Sequence, residues 1–249
     1  MSDIVSVQIL VVCPQASDRD LWRQAIGLAP VPIESEEANS GASAQAILAR
    51  GGIDIVVLDA DMPEPDRSQV TLAGRRAAGH PFVIVSAPID RQVRGIDADG
   101  VVTKPSSLAE AQYLIDRCIR VRLPSRVLVV DDSSTMRSIV RKILMASRFP
   151  VEVSDAAEGA AALQLIRDGE FDIVFLDYFM PGLNGIETLA EIKRAHPRLE
   201  VVMITAQQDE SVATRVRAAG AAAFLKKPFF PADIDAVLHA FCGVRPISA

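Results

Sequence analysis

Short apolar runs alternate along the chain with stretches whose apolar residues recur every three or four positions. The runs fall at 7–12, 31–34, 54–58, 82–85 and 100–102, and again at 127–130, 151–153, 172–176, 201–204 and 222–225. Near-continuous apolar runs of this length suit strands buried on both faces, as in parallel sheets covered by helices. Met136, Ile139, Val140, Ile143 and Leu144 step by three and four and predict a helix burying one face, with Ser133, Ser134 or Thr135 as its cap. Leu163 with Ile166, and Ile186 with Leu189 and Ile192, predict two more. Pro231 suits the first turn of a last helix carrying Ile234, Val237, Leu238 and Phe241. In the first half, the last helix passes through Leu108, Ala111, Leu114, Ile115 and Ile119, and the fourth helix must be short.

The two halves are copies of one another. Ile9-Leu10-Val11-Val12 matches Val127-Leu128-Val129-Val130, and Asp54-Ile55-Val56-Val57-Leu58-Asp59 matches Asp172-Ile173-Val174-Phe175-Leu176-Asp177. Met62-Pro63 likewise matches Met180-Pro181, all at a spacing of 118 residues. Val83-Ile84-Val85-Ser86-Ala87 aligns with Val202-Met203-Ile204-Thr205-Ala206 at 119, and Lys104-Pro105 with Lys227-Pro228 at 123. Pro124 ends a helix and Arg126 precedes a new strand, which predicts two domains, 1–123 and 124–249, without a long flexible linker.

Composition narrows the functions open to such a chain. Hydrophobic residues at 49% and charged residues at 23% exclude a disordered chain. A net charge of -6 without any basic window argues against nucleic acid or an anionic membrane as partner. Cys13, Cys118 and Cys242 form neither a disulfide framework nor a zinc spacing, which fits a reducing cytoplasm. The start has no secretory pattern, and no apolar run approaches the ~18 residues of a membrane span.

In doubly wound sheets, ligands sit beyond the carboxyl ends of the strands. In the second copy Asp131 and Asp132 end the first strand, Asp177 the third, Thr205 the fourth and Lys227 the fifth. Three carboxylates in one cleft repel one another and invite a hard divalent cation, for which oxygen donors suit Mg²⁺. A lysine and a threonine hydroxyl beside them suit a phosphoryl group, with Asp177 as nucleophile.

Val127 through Arg137, Leu176-Asp177-Tyr178-Phe179-Met180-Pro181-Gly182-Leu183-Asn184-Gly185, Ile204-Thr205-Ala206 and Phe224-Leu225-Lys226-Lys227-Pro228 together resemble the CheY-like receiver domains of two-component response regulators. The resemblance implies a flavodoxin-like (βα)5 fold in each copy, a five-stranded parallel sheet with helices on both faces. It implies Asp177 as the phosphorylated residue, and Mg²⁺ held by Asp132, Asp177 and the backbone carbonyl of Phe179, with Asp131 acting through water. Thr205 and Phe224 would be the switch pair, and Lys227 the residue that contacts phosphate. A histidine kinase or histidine phosphotransfer protein would supply the phosphoryl group. A downstream protein would bind the fourth helix, fifth strand and fifth helix of the second copy, at about 208–241.

The first copy departs from this pattern. It retains Asp59, Ser86 and Lys104 at the places of Asp177, Thr205 and Lys227, but Cys13-Pro14 replaces the acid pair and Val101 replaces Phe224. Asp18, Asp20 or Asp61 offers a substitute carboxylate, with Asp61 the best placed. The expectation is a pseudo-receiver in front of an intact receiver, with no effector domain after it; the first copy either docks on its neighbour or mediates a homodimer. Two other functions compete with phosphorylation-dependent signalling: a phosphate sink or relay intermediate, and an aspartyl-phosphate phosphatase.

Overall fold

The computed structural model describes residues 6–206 and 210–247, with side chains in the last segment from Val212 onward. Two compact units emerge: unit 1 comprises Met1–Arg122 with His239–Ala249, and unit 2 comprises Leu123–Leu238. The stretch expected as the second domain, 124–249, therefore contributes its last eleven residues to unit 1.

Unit 1 is built from β1 (Val7–Val12), α1 (Ala16–Gly27), β2 (Ile33–Ala38), α2 (Gly41–Arg50), β3 (Ile55–Asp59), α3 (Asp66–Arg76), β4 (Phe82–Ala87), β5 (Gly100–Thr103) and α4 (Leu108–Arg120). Unit 2 follows with β6 (Ser125–Val130), α5 (Ser134–Ala146), β7 (Val151–Ala156), α6 (Gly159–Asp168), β8 (Ile173–Asp177), α7 (Gly185–Ala195), β9 (Glu200–Thr205), α8 (Glu210–Ala218), β10 (Ala223–Lys226) and α9 (Pro231–Cys242). The sheets run β2-β1-β3-β4-β5 and β10-β9-β8-β6-β7, all parallel, which is the flavodoxin-like order in both units.

The central strands are buried throughout, as their unbroken apolar runs require. In unit 2, Leu128, Val130, Val174, Leu176, Val201 and Met203 form one face of the sheet and pack against Ala162, Ile166, Leu189 and Ile192 of α6 and α7. Ser133 caps α5, its side chain accepting from the Met136 N–H. Only Val140 and Leu144 of the expected apolar face of α5 are buried; Ile139 stands 42% exposed.

Two expectations need correction. The second strand of unit 1 begins at Ile33 rather than 31 and continues to Ala38. Pro30 and Pro32 interrupt the apolar run, and the strand lies at the sheet edge, where Glu34 and Glu36 can face water. The expected short fourth helix of unit 1 is absent: residues 88–99 contain only turns, bends and irregular chain. Pro88 opens that segment and Gly95 adopts a φ of 66°, so the chain is interrupted although Ile89, Val93 and Ile96 stand at helical steps.

Candidate functional site

The chain order of unit 2 brings the ends of β6 and β8 side by side, so that Asp131 follows Val130 next to Asp177. Asp131 and Asp177 are buried and Asp132 is exposed. Each of the three offers a carboxylate oxygen within 4.8 Å of the others. This is a donor set for a hard cation: all oxygen, anionic, and open to water on one side.

The cation within reach belongs to the chain. Lys227 Nζ donates to Asp177 Oδ1 at 2.8 Å and to Asp131 Oδ2 at 2.9 Å. Its position is fixed from behind, because the Lys227 N–H donates to the Thr205 carbonyl at 2.7 Å. The other oxygen of Asp131, Oδ1, accepts the Ser133 N–H at 2.9 Å. Burial pushes the Asp177 carboxyl above its ordinary 3.8, and Asp131 and Asp132 push it further, against the opposing pull of Lys227. Burial alone would lower the Lys227 ammonium, but its bonds to Asp177 and Asp131 outweigh that and leave it above 10.5. Both partners of this ion pair are raised, Asp177 chiefly by its burial and Lys227 by its bonds to two carboxylates.

Two features of the site escaped sequence reasoning. Arg137 Nη1 donates to the Asp131 carbonyl at 2.8 Å and so holds the end of β6; in unit 1, Arg19 does the same for the Cys13 carbonyl at 2.7 Å. The 118-residue spacing between the two arginines was the available signal. Gly185 lets the start of α7 pass against β8, since a Cβ there would lie 2.2 Å from the Asp177 carbonyl oxygen. Thr205 is fully buried, and Phe224 is partly buried against the main core cluster. Phe179 is half exposed, its ring edge-on to Tyr178 with centroids 4.8 Å apart. Of the expected output surface at about 208–241, residues 208 and 209 lie outside the described residues.

The corresponding rim of unit 1 carries different chemistry. Lys104 Nζ contacts Asp18 at 2.8 Å, Asp59 at 2.8 Å and Asp61 at 2.9 Å. Cys13 Sγ donates to Asp59 Oδ2 at 3.0 Å. Burial, then the bond and charge of Asp59, push the Cys13 thiol up to about 12, so it stays protonated at neutral pH. Lys104 is raised: burial would lower it, but the bonds to Asp18, Asp59 and Asp61 prevail. Asp61 is held below its ordinary 3.8 by the Lys104 bond. Asp18, rather than Asp61, joins Cys13 and Asp59 in a donor cluster within 4.8 Å, while Asp20 pairs with Arg23.

Ser86 is not the counterpart of Thr205. Asp59 pairs in register with Ser86, whereas Asp177 pairs with Ile204. Lys104 N–H bonds the Ala87 carbonyl as Lys227 N–H bonds that of Thr205. The spacing on the fourth strand is therefore 118, as elsewhere, and Ala87 occupies the threonine position, so unit 1 lacks that hydroxyl as well as the acid pair. The similar strings Val-Ser-Ala and Ile-Thr-Ala had suggested 119. Ser86 Oγ is buried without a hydrogen-bond partner.

Residues 127–239 match the response regulator receiver domain. The chain is 36% identical over 115 residues to the chemotaxis protein CheY of Bacillus subtilis, covering 46% of this chain and 92% of that protein. It is 34% identical over 124 residues to the response regulator GacA of Pseudomonas viridiflava, covering 49% of this chain and 58% of that protein. Among solved structures, a "probable two-component system response regulator/GGDEF domain protein" superposes with a TM-score of 0.57 at 21% identity, covering 95% of this chain and 98% of the other. At that identity the match speaks for the fold.

Proposed function

The chain belongs to the response regulator family, whose members are phosphorelay signalling proteins, and on that premise we propose that unit 2 accepts a phosphoryl group on Asp177 with the help of Mg²⁺ and signals by binding a protein in that state. The observation that supports this most is the excess of carboxylate over cation: Asp131, Asp132 and Asp177 converge, and Lys227 is bonded to the two buried ones, Asp131 and Asp177. Asp132 and Asp177, with the Phe179 carbonyl and with Asp131 through water, would hold the ion, which when bound neutralises charge on the phosphoryl oxygens.

Asp177 is the nucleophile. An oxygen of its carboxylate forms the new bond to phosphorus as the bond to the donor breaks, and the donor leaves with the electron pair. The donor is a phosphohistidine of a kinase or phosphotransfer protein. Lys227, already bonded to Asp177, is placed to meet the arriving phosphoryl oxygens. Thr205, at the end of the neighbouring strand, offers its hydroxyl to the same group, and Phe224 follows it as the second half of the switch. The modified surface, centred on α8, β10 and α9, binds the downstream protein.

Unit 1 is a pseudo-receiver. Its Asp59 is bonded by a thiol and an ammonium, and the two strand-end carboxylates that would hold the ion are missing. Treatment with a small acyl phosphate and Mg²⁺, followed by intact-mass measurement, tests both statements. Wild type gains one phosphoryl group and Asp177→Asn gains none. Full labelling of Asp177→Asn on Asp59 overturns the pseudo-receiver reading, and an unlabelled wild type overturns the role of Asp177.

A further inference from the structure

The missing helix of unit 1 leaves a gap in its cover. In a doubly wound sheet, the helix between the fourth and fifth strands shields one face of both. Without it Val85, Ala87 and Val101 would lack cover, and β5 is an edge strand with open backbone groups. The end of the chain fills both needs.

After α9, Gly243 adopts a φ of 68° and the chain turns into an extended segment. The Val101 N–H donates to the Arg245 carbonyl at 2.7 Å, and the Arg245 N–H to the Val101 carbonyl at 2.8 Å, a reciprocal antiparallel bridge on the edge of β5. Val244 is buried, and Ile247 packs with Val93 and Ile96 against the cluster of Ala60, Val85, Ala87 and Val101. The pairing is a single bridge, and Pro246, the next residue, has no N–H to offer on the outer side.

The segment is anchored before it reaches the edge. Arg117 donates to the Phe241 carbonyl at 3.0 Å, Arg120 lies 5.3 Å from the centre of the Phe241 ring, and a His239 ring nitrogen lies 2.8 Å from the Asp99 carbonyl. On the receiving side, a Cβ on Gly100 would lie 2.2 Å from Val244 Cγ1 and 3.0 Å from the Arg245 carbonyl oxygen. A glycine is otherwise a poor strand residue; here it makes room for the passing chain.

We propose that the β5 edge of unit 1, together with the helix-free 88–99 segment, is a docking surface for an extended apolar strand, and that its occupant is the chain's own Val244–Ile247. The docked segment replaces the absent helix and closes this edge to strand addition by another chain. The recognition is the kind used in β-augmentation: backbone hydrogen bonds supply the fit and an apolar side chain sets the register.

Amide exchange and thermal unfolding of the full-length chain test this. In wild type the Val101 amide is protected; an amide facing outward on a bare edge exchanges about tenfold faster or more. Gly100→Ala lowers the melting temperature and speeds exchange at Val101, and adding Val244→Ala, which removes the clashing methyl, recovers most of both. On a free edge Gly100→Ala would be neutral or stabilising, and that result, or an unprotected Val101 amide in wild type, overturns the docking. Val244→Asp releases the segment, and a synthetic peptide of residues 240–249 then binds this variant and not wild type. A Val244→Asp chain that keeps its far-UV circular dichroism yet fails to bind the peptide overturns the docking surface.

Discussion

Units 1 and 2 share strand order, register and the arginine that holds the end of the first strand, yet their rims are chemically opposed. In unit 2 one lysine is divided between two buried aspartates, with a third carboxylate exposed beside them, and the site remains short of positive charge. In unit 1 one lysine meets three carboxylates, Arg91 adds a second cation on Asp61, and a protonated thiol stands where an aspartate would. The same fold thus keeps the place of the lysine and the strand-three aspartate while the residues around them, Cys13, Asp18, Asp61 and Arg91 in one unit and Asp131 and Asp132 in the other, set which charges surround that pair.

The largest test of that contrast removes the internal cation. Lys104→Met and Lys227→Met each strand partly buried carboxylates and should cost about 2–3 kcal/mol in thermal or denaturant unfolding. Millimolar Mg²⁺ should recover much of the loss in Lys227→Met and little in Lys104→Met, and equal recovery would erase the distinction between the rims. The reverse exchange is the next largest effect. Cys13→Asp combined with Pro14→Asp should strengthen Mg²⁺ binding at unit 1 by about tenfold or more, near 1.4 kcal/mol, and add a second binding event in calorimetric titration.

A smaller effect concerns the cost of the acid cluster itself. The Asp177 carboxyl is raised by burial, so its charge opposes folding at neutral pH, and Asp177→Asn in chelator should stabilise unit 2 by about 1 kcal/mol. The sign with pH follows: the wild-type deficit is full above the folded pKa and vanishes below 3.8, where both folded and unfolded chains carry the proton. Lys227 behaves oppositely. Its stabilisation is complete below 10.5 and is lost as pH rises through its higher folded value. Melting temperatures of wild type and Asp177→Asn between pH 7 and 4 should therefore converge.

The smallest expected change is at Cys13. Its thiol, at about 12, should resist disulfide reagents at pH 8 in the native chain, and Asp59→Asn should accelerate the reaction by less than about tenfold, because burial is the larger cause.

Much of this was legible beforehand. Four of the five strands in each unit fall within two residues of their apolar runs at their starts and ends, and the acid cluster of unit 2 follows from strand ends alone. The first-unit edge strand was less legible because an edge is selected against aggregation as much as for burial, so Glu34, Glu36 and Glu37 mask its pattern. The substitution of Ala87 for the threonine was hidden by a one-residue slip between similar strings, and in a strand one residue exchanges the two faces. Asp18 was undervalued because it lies on a helix, five residues from Cys13, and only the docking of α1 brings it to Lys104.

The sequence by itself determined the repeat, the parallel α/β architecture and the inequality of the two acid sites, because period and strand-end chemistry are local properties of the chain. Tertiary structure alone decided which hydroxyl, if any, stands beside each aspartate, how many carboxylates one lysine serves, and that residues 244–247 complete the first unit. Those outcomes depend on register and on contacts across more than a hundred residues of chain, and neither leaves a periodic trace in the sequence.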